Sequence, residues 1–132
     1  TGTLGEGFVV VDIGCQLDGY ASDMTRTFPV DRQYTDAQLE LAQLVLKSKE
    51  AAVALLKPGN RFRDANRASR AVFEAAGLAS FYLHTVGHHV GINVHDPYAD
   101  ILEPGMVVTI EPGLYIPADR LCLLSSNLHT RR

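Results

Sequence analysis

The alternation of apolar and polar positions divides the chain into a β-rich start, a helical middle and a β-rich end. Residues 9–28, VVVDIGCQLDGYASDMTRTF, form two runs rich in β-branched and aromatic residues around a short polar loop, the pattern of a β-hairpin. A four-residue loop at 16–19 puts Cys15 opposite Tyr20 and Asp12 directly opposite Asp23. Directly opposed Cβ atoms lie only about 4.5–5.5 Å apart, so two carboxylates there want a cation between them or a proton on one of them. The competing register has a tight Asp18-Gly19 turn and puts Gly14 opposite Asp23 instead.

Past the hairpin, Thr35-Asp36-Ala37-Gln38 has capping-box spacing, a hydroxyl followed three residues on by an amide. Ala42, Val45, Lys49, Ala52, Val53 and Leu56 then recur at helical spacing until Lys57-Pro58-Gly59 stops the helix. A second helix is predicted over 63–76, with Ala65, Ala68, Val72 and Ala76 on its inner face and Gly77 as the residue after its cap. Its other face carries Arg63, Arg67 and Arg70, which reads as a solvated face. From Phe81 on, three short strands are predicted: FYL, HHVGINVH and MVVTI. LGEGFVVVDIG (4–14) and LEPGMVVTIEPG (102–113) echo each other, which argues for two related supersecondary units. The acid follows its glycine by five residues in the first copy and six in the second, so a strict repeat needs a bulge.

The 132 residues suit one domain, and a 46% hydrophobic content supplies a core. A net charge of -3 gives no electrostatic footprint for nucleic acid or an anionic membrane. No apolar run reaches the 18 or so residues of a membrane span. Cys15 and Cys122 stand in no CxxC spacing and read as small core residues of a protein from a reducing, cytoplasmic compartment, an organellar parent being compatible. The start, TGTLGEGF, reads as cut from a longer chain, and LCLLSSNLHTRR at the other end continues no earlier pattern. The expected division is a partial catalytic domain over 1–117 and a divergent tail over 118–132.

The chemistry concentrates in Asp12, Asp23, Glu111 and the histidines at 84, 88, 89 and 95. Four of the chain's five histidines fall within twelve residues on a glycine-punctuated stretch, an enrichment that favours a site over a core. Carboxylates with one imidazole suit divalent ions of the Mn, Co or Zn kind. Three carboxylates exceed the needs of one tetrahedral zinc and are more consistent with two ions about 3.5–4 Å apart, which together activate a water. His84 and His88 flank Thr-Val-Gly, a poor helix stretch, so the spacing is not that of a helical HExxH site.

Three ordered motifs, DIGCQLDGYASDMTRTFPV, HTVGHHVGINVHDP and LEPGMVVTIEPGLYIP, resemble those of the Xaa-Pro aminopeptidase (aminopeptidase P) and prolidase family. The likeness covers about residues 5–117. It implies an α+β, partial pita-bread fold: a mostly antiparallel curved sheet with two helices on one face. It implies hydrolysis of the Xaa-Pro bond at peptide N-termini by a water activated by two divalent ions, Mn foremost and Co or Zn as alternatives, with a proline-containing peptide as substrate. By the same resemblance Asp12 binds one ion, Asp23 bridges both, and His88 and Glu111 hold the other, Glu111 also taking the water's proton. His84 and His95 line the site, His95 placed to stabilise the tetrahedral intermediate or to meet the scissile amide, and His89 carries no family role. The family pattern has a further bridging Glu on a strand after EPG, whereas residues 117–132 contain Asp119 but no Glu. The second ion is therefore expected to bind weakly, and open sheet edges to favour pairing with another copy. Two alternatives follow: a catalytically silent module that binds a peptide or partner, and a creatinase-like hydrolase on the same fold.

Overall fold

The computed structural model describes residues 7–116 throughout and, beyond them, the backbone of two strands at Leu121–Leu124 and Asn127–Thr130. Strand β1 (Phe8–Ile13) runs into the short β2 (Gln16–Leu17), and β3 (Tyr20–Ala21) returns into β4 (Met24–Pro29). Two helices follow, α1 (Asp36–Val53) and α2 (Phe62–Ala75), and then a 3₁₀ turn at Ala79–Phe81. Strands β5 (Val107–Ile110), β6 (Gly113–Ile116), β7 (Leu121–Leu124) and β8 (Asn127–Thr130) close the chain. All four ladders are antiparallel: β1 with β4, β2 with β3, β5 with β8 and β6 with β7. This is the α+β arrangement expected.

The hairpin turns on Asp18 and Gly19, whose φ of 51° and 86° suit the two-residue loop that matches strand twist. Leu17 faces Tyr20 and Gln16 faces Ala21, so the four-residue loop does not form. At the base, Asp12 pairs with Thr25 and Ile13 with Met24, which corrects the expectation that Asp12 faces Asp23 directly. The two carboxylates are instead diagonal neighbours on one face of the ribbon, a separation of about 7–8 Å in an antiparallel pair. Gly14 comes opposite Asp23: a Cβ on it would stand 2.3 Å from the Ser22 carbonyl oxygen, so only glycine lets the strands close there.

Helix α1 begins with the capping box read from the sequence. The Thr35 hydroxyl accepts from the Gln38 N–H, and the Gln38 amide oxygen accepts from the Thr35 N–H. Helix α2 buries Phe62, Ala65, Ser69 and Phe73, a stripe rotated from the predicted one, and Ala76 is exposed. The alanine count misled because the larger side chains sit one position away, and they fill more of the core. Gly77, at φ 72°, follows the cap as expected. The arginines stay outside, with Arg63 on Asp100, Arg67 on Asp64 and Arg70 on Glu74.

The helices pack on one face of β5 and the segment beside it. Ala52 and Leu56 from α1 and Phe62 and Ala65 from α2 enclose Val86, Leu102, Val108 and Ile110. With Val108 and Ile110 turned to the helices, Thr109 and the following Glu111 are left to the other side. The two expected strands before β5 do not form. Phe81 ends the 3₁₀ turn. Residues 86–90 run antiparallel beside β5, their carbonyls at Val86 and His88 accepting from Glu111 and Thr109, but the His88 N–H goes to the Thr109 hydroxyl. That side-chain partner interrupts the ladder and leaves a single bridge between His89 and Val108. Among the described residues no helix is long and apolar enough to cross a membrane.

One side chain of α2 sets where the histidine segment starts. Asn66 Oδ1 accepts from the fully buried Val86 N–H at 2.8 Å and from the Tyr82 hydroxyl at 3.3 Å. Asn66→Ala leaves that N–H unsatisfied, for an expected loss of about 1–3 kcal/mol. Urea denaturation of the two proteins measures it, and equal midpoints would show that the bond does not matter.

Candidate metal centre

The hairpin and the segment beside β5 meet at a cleft of ≈ 230 Å³ lined by Asp12, Ile13, Gly14, Ser22, Asp23, His88, Val94, His95 and Glu111. Residues from both echoed units, Asp12 and Glu111, therefore face one space. Their preceding glycines, Gly7 and Gly105, also share a positive φ, at 112° and 89°. The centre of the cleft is His88. Its Nε2 stands 3.2 Å from Asp23 Oδ2 and 3.1 Å from Glu111 Oε1, and one ligand atom from each of the three lies within 4.8 Å of the others. Its Nδ1 donates to the His89 carbonyl at 3.0 Å, which orients the ring and leaves Nε2 toward the carboxylates.

Two threonines that the sequence reading passed over hold the acids. The Thr109 hydroxyl donates to Glu111 Oε1 at 2.7 Å while accepting from the His88 N–H at 3.0 Å. The fully buried Thr25 donates to Asp12 Oδ1 at 2.9 Å. The signal was present for one of them. Thr109 lies two positions before Glu111 and so shares a face with it, whereas the Thr25 bond to Asp12 follows only from the strand register that pairs the two.

The remaining histidines divide. His95 lies on the cleft with its ring edge-on to His88, centroids 4.2 Å apart. His84 is not in the cleft lining. Its Nδ1 donates to the Thr85 carbonyl, and its Nε2 then accepts from the Tyr115 hydroxyl at 2.9 Å. His89 is buried, bonded to the Ala99 carbonyl at 2.8 Å and packed against Phe62 and Tyr98. Cys15 is exposed, contrary to its reading as a core residue, with Sγ 3.3 Å from the Ser22 hydroxyl; the side chain of Cys122 lies outside the described residues.

The electrostatics of the cluster favour positive charge. Burial works to lower His88, but hydrogen bonds to Glu111 and the His89 carbonyl, with the charges of Glu111 and Asp23, outweigh it and hold the imidazole at about 9. Burial raises Asp23, and repulsion from Glu111 and Asp12 adds to this against the pull of His88. Glu111 goes the other way: burial is outweighed by hydrogen bonds from His88 and Thr109, and it stays ionised well into acid. Two carboxylates, Asp23 and Glu111, around one oriented imidazole nitrogen, with Asp12 on the same cleft, form a donor set that fits a divalent cation.

These values set a pH window. A group whose pKa is raised on folding contributes stability below its unfolded value of 6.5 and loses that contribution as pH rises through about 9. The chain free of divalent metal should therefore lose stability between pH 6.5 and about 9, and His88→Gln should flatten that slope. Urea midpoints across the range measure it; a slope that survives in the variant would place the proton elsewhere.

A sequence model of metallopeptidase family M24 matches residues 2–127. The chain is 38% identical over 135 residues to an Xaa-Pro aminopeptidase of Haemophilus influenzae, a match spanning 84% of this chain and 31% of that one. It superposes on the prolidase of Pyrococcus furiosus with a TM-score of 0.84 at 33% identity, covering 92% of this chain and 37% of that one. For the prolidase of Thermococcus sibiricus the TM-score is 0.86 at 30% identity, with 95% and 35% covered. The chain thus spans about a third of the length of the relatives it matches. It shares their pita-bread fold, and the family implies divalent metal ions. With the motifs, the fold and the ligand cluster in agreement, this chain belongs to metallopeptidase family M24.

Proposed function

We propose that this chain carries the metal-binding core of a peptidase that hydrolyses the Xaa-Pro bond at peptide N-termini. The observation that supports it most is the convergence of Asp23, His88 and Glu111 at the floor of a cleft that also holds Asp12 and His95. His88, Glu111 and Asp23 would hold one divalent ion, Mn foremost with Co or Zn as alternatives, and Asp23 would share a second with Asp12. Asp12 is exposed and has no second partner acid on its side of the cleft among the described residues, so the second ion binds more weakly. Ions so held polarise a carbonyl oxygen and lower the pKa of water toward neutrality.

The side chains supply the rest. Glu111, held by the Thr109 hydroxyl, accepts the proton of the attacking water and carries it to the prolyl nitrogen, which must gain one to leave. His95, at the cleft wall, donates to the oxygen that gains charge on the carbonyl carbon. Proline lacks an amide N–H, so a cleft that offers this bond no acceptor loses nothing by it. A second reading, a silent module that binds proline-containing peptides, is favoured by the exposure of Asp12, which leaves the second ion weakly held.

Metal titration and peptide cleavage separate the readings. His88→Ala and Asp23→Asn should abolish tight Mn binding, Asp12→Asn should remove only the weaker ion, and Thr109→Val should cost roughly 10–100-fold in affinity. The Mn-loaded protein should release the first residue from Xaa-Pro peptides and leave creatine intact. Metal binding with no turnover would leave the silent module standing; metal affinity unchanged in His88→Ala would remove the metal-centre reading.

A further inference from the structure

Residues 91–96, GINVHD, carry His95 and Val94 to the cleft, yet packing cannot be what holds them there. Ile92, Asn93, Val94 and His95 are all exposed, Ile92 by 69% and Val94 by 42%. A turn that buries no side chain pays its ordering entropy without hydrophobic return. One backbone bond, from the Gly91 N–H to the Asn93 carbonyl at 3.1 Å, and a carboxylate close it. Asp96 Oδ1 accepts from the Asn93 backbone N–H at 3.0 Å and from its amide Nδ2 at 3.1 Å, drawing the two ends of the turn together. The other oxygen lies against Gly91, where a Cβ would stand 2.0 Å from it, so only glycine leaves the carboxylate room. Backbone bonds anchor the turn at both ends: Asp96 N–H to the His89 carbonyl at 3.0 Å, and Ala21 N–H on the hairpin to the Gly91 carbonyl at 2.7 Å.

We propose that Asp96 is a positioning residue, a clasp that holds the turn at 92–95 so that His95 and Val94 face the cleft. Its consequence for catalysis rests on the reading of His95 as the group that meets the substrate. The clasp has its own chemistry: it needs an oxygen that accepts two N–H groups and a glycine opposite. A carboxamide keeps the oxygen, an alanine at 96 removes it, and an alanine at 91 displaces it.

Proton NMR of the metal-free chain tests the clasp without any activity. The His95 ring protons feel the His88 ring at 4.2 Å. In Asp96→Ala and in Gly91→Ala that ring-current shift should be lost and the Asn93 amide should exchange faster, while Asp96→Asn keeps both. His95 resonances unmoved in Asp96→Ala, or an Asp96→Asn protein as disturbed as the alanine variant, would overturn the proposal. In the Mn-loaded protein, Asp96→Ala should cost on the order of 10²-fold in kcat/KM at unchanged metal content, as expected for a reacting group misplaced by about 1 Å. Paired with His95→Ala it should cost no more than His95→Ala alone; additive losses would show that Asp96 does not act through His95. If no Xaa-Pro peptide is cleaved at all, the proposed function fails, and the ring shifts still decide the clasp.

Discussion

Mutual repulsion of acids is the constraint around which this molecule is arranged. Two like charges 4 Å apart repel by about 4 kcal/mol at an effective dielectric of 20, a large fraction of a domain's net stability. Asp12, Asp23 and Glu111 nonetheless face one cleft, and the fold answers with His88 set between Asp23 and Glu111. The imidazole keeps its proton past neutrality, Asp23 is raised and Glu111 is lowered. Such a site competes for cations of any kind, protons included, and metal binding there is an exchange of one positive charge for a larger one.

Holding that arrangement requires close backbone approach. Gly14 lets the carboxylate-bearing strands close at Ser22, and Gly87 lets the histidine segment lie on β5, where a Cβ would stand 2.1 Å from the Thr109 carbonyl oxygen. Each of these glycines sits beside the ligands it serves, Gly14 opposite Asp23 and Gly87 next to His88. The threonines then fix two of the acids, Thr25 holding Asp12 and Thr109 holding Glu111, while Asp23 is held by backbone register and by His88. The helices contribute from behind, by burying Val108 and Ile110 and so turning Thr109 and Glu111 to the cleft.

The turn at 91–96 works on a different principle. His88 and Glu111 sit on or beside a packed strand, while His95 rides on an exposed turn closed by hydrogen bonds, its ring resting on that of His88. A group that must adjust to a substrate gains from that looser mounting. A metal ligand does not, because a small displacement changes the coordination distance.

The sequence by itself determined the helices, their caps, the α+β class and the identity of the clustered residues. These follow from local physics: a hydroxyl and an amide three apart cap a helix, apolar spacing fixes its length, and three motifs in order carry the family resemblance. Tertiary structure alone decided the register that makes Asp12 and Asp23 diagonal, because a two-residue and a four-residue loop are both compatible with the same string and differ by the φ that Asp18 accepts. It decided which face of α2 is buried, since Phe62 and Phe73 outweigh the alanines only once a sheet is there to receive them. It also separated four neighbouring histidines into a partner of the acids, a cleft wall, a partner of Tyr115 and a core residue. Spacing along the chain says how near side chains are in sequence; which of them share an ion depends on strands from opposite ends of the chain meeting, and that is settled by packing.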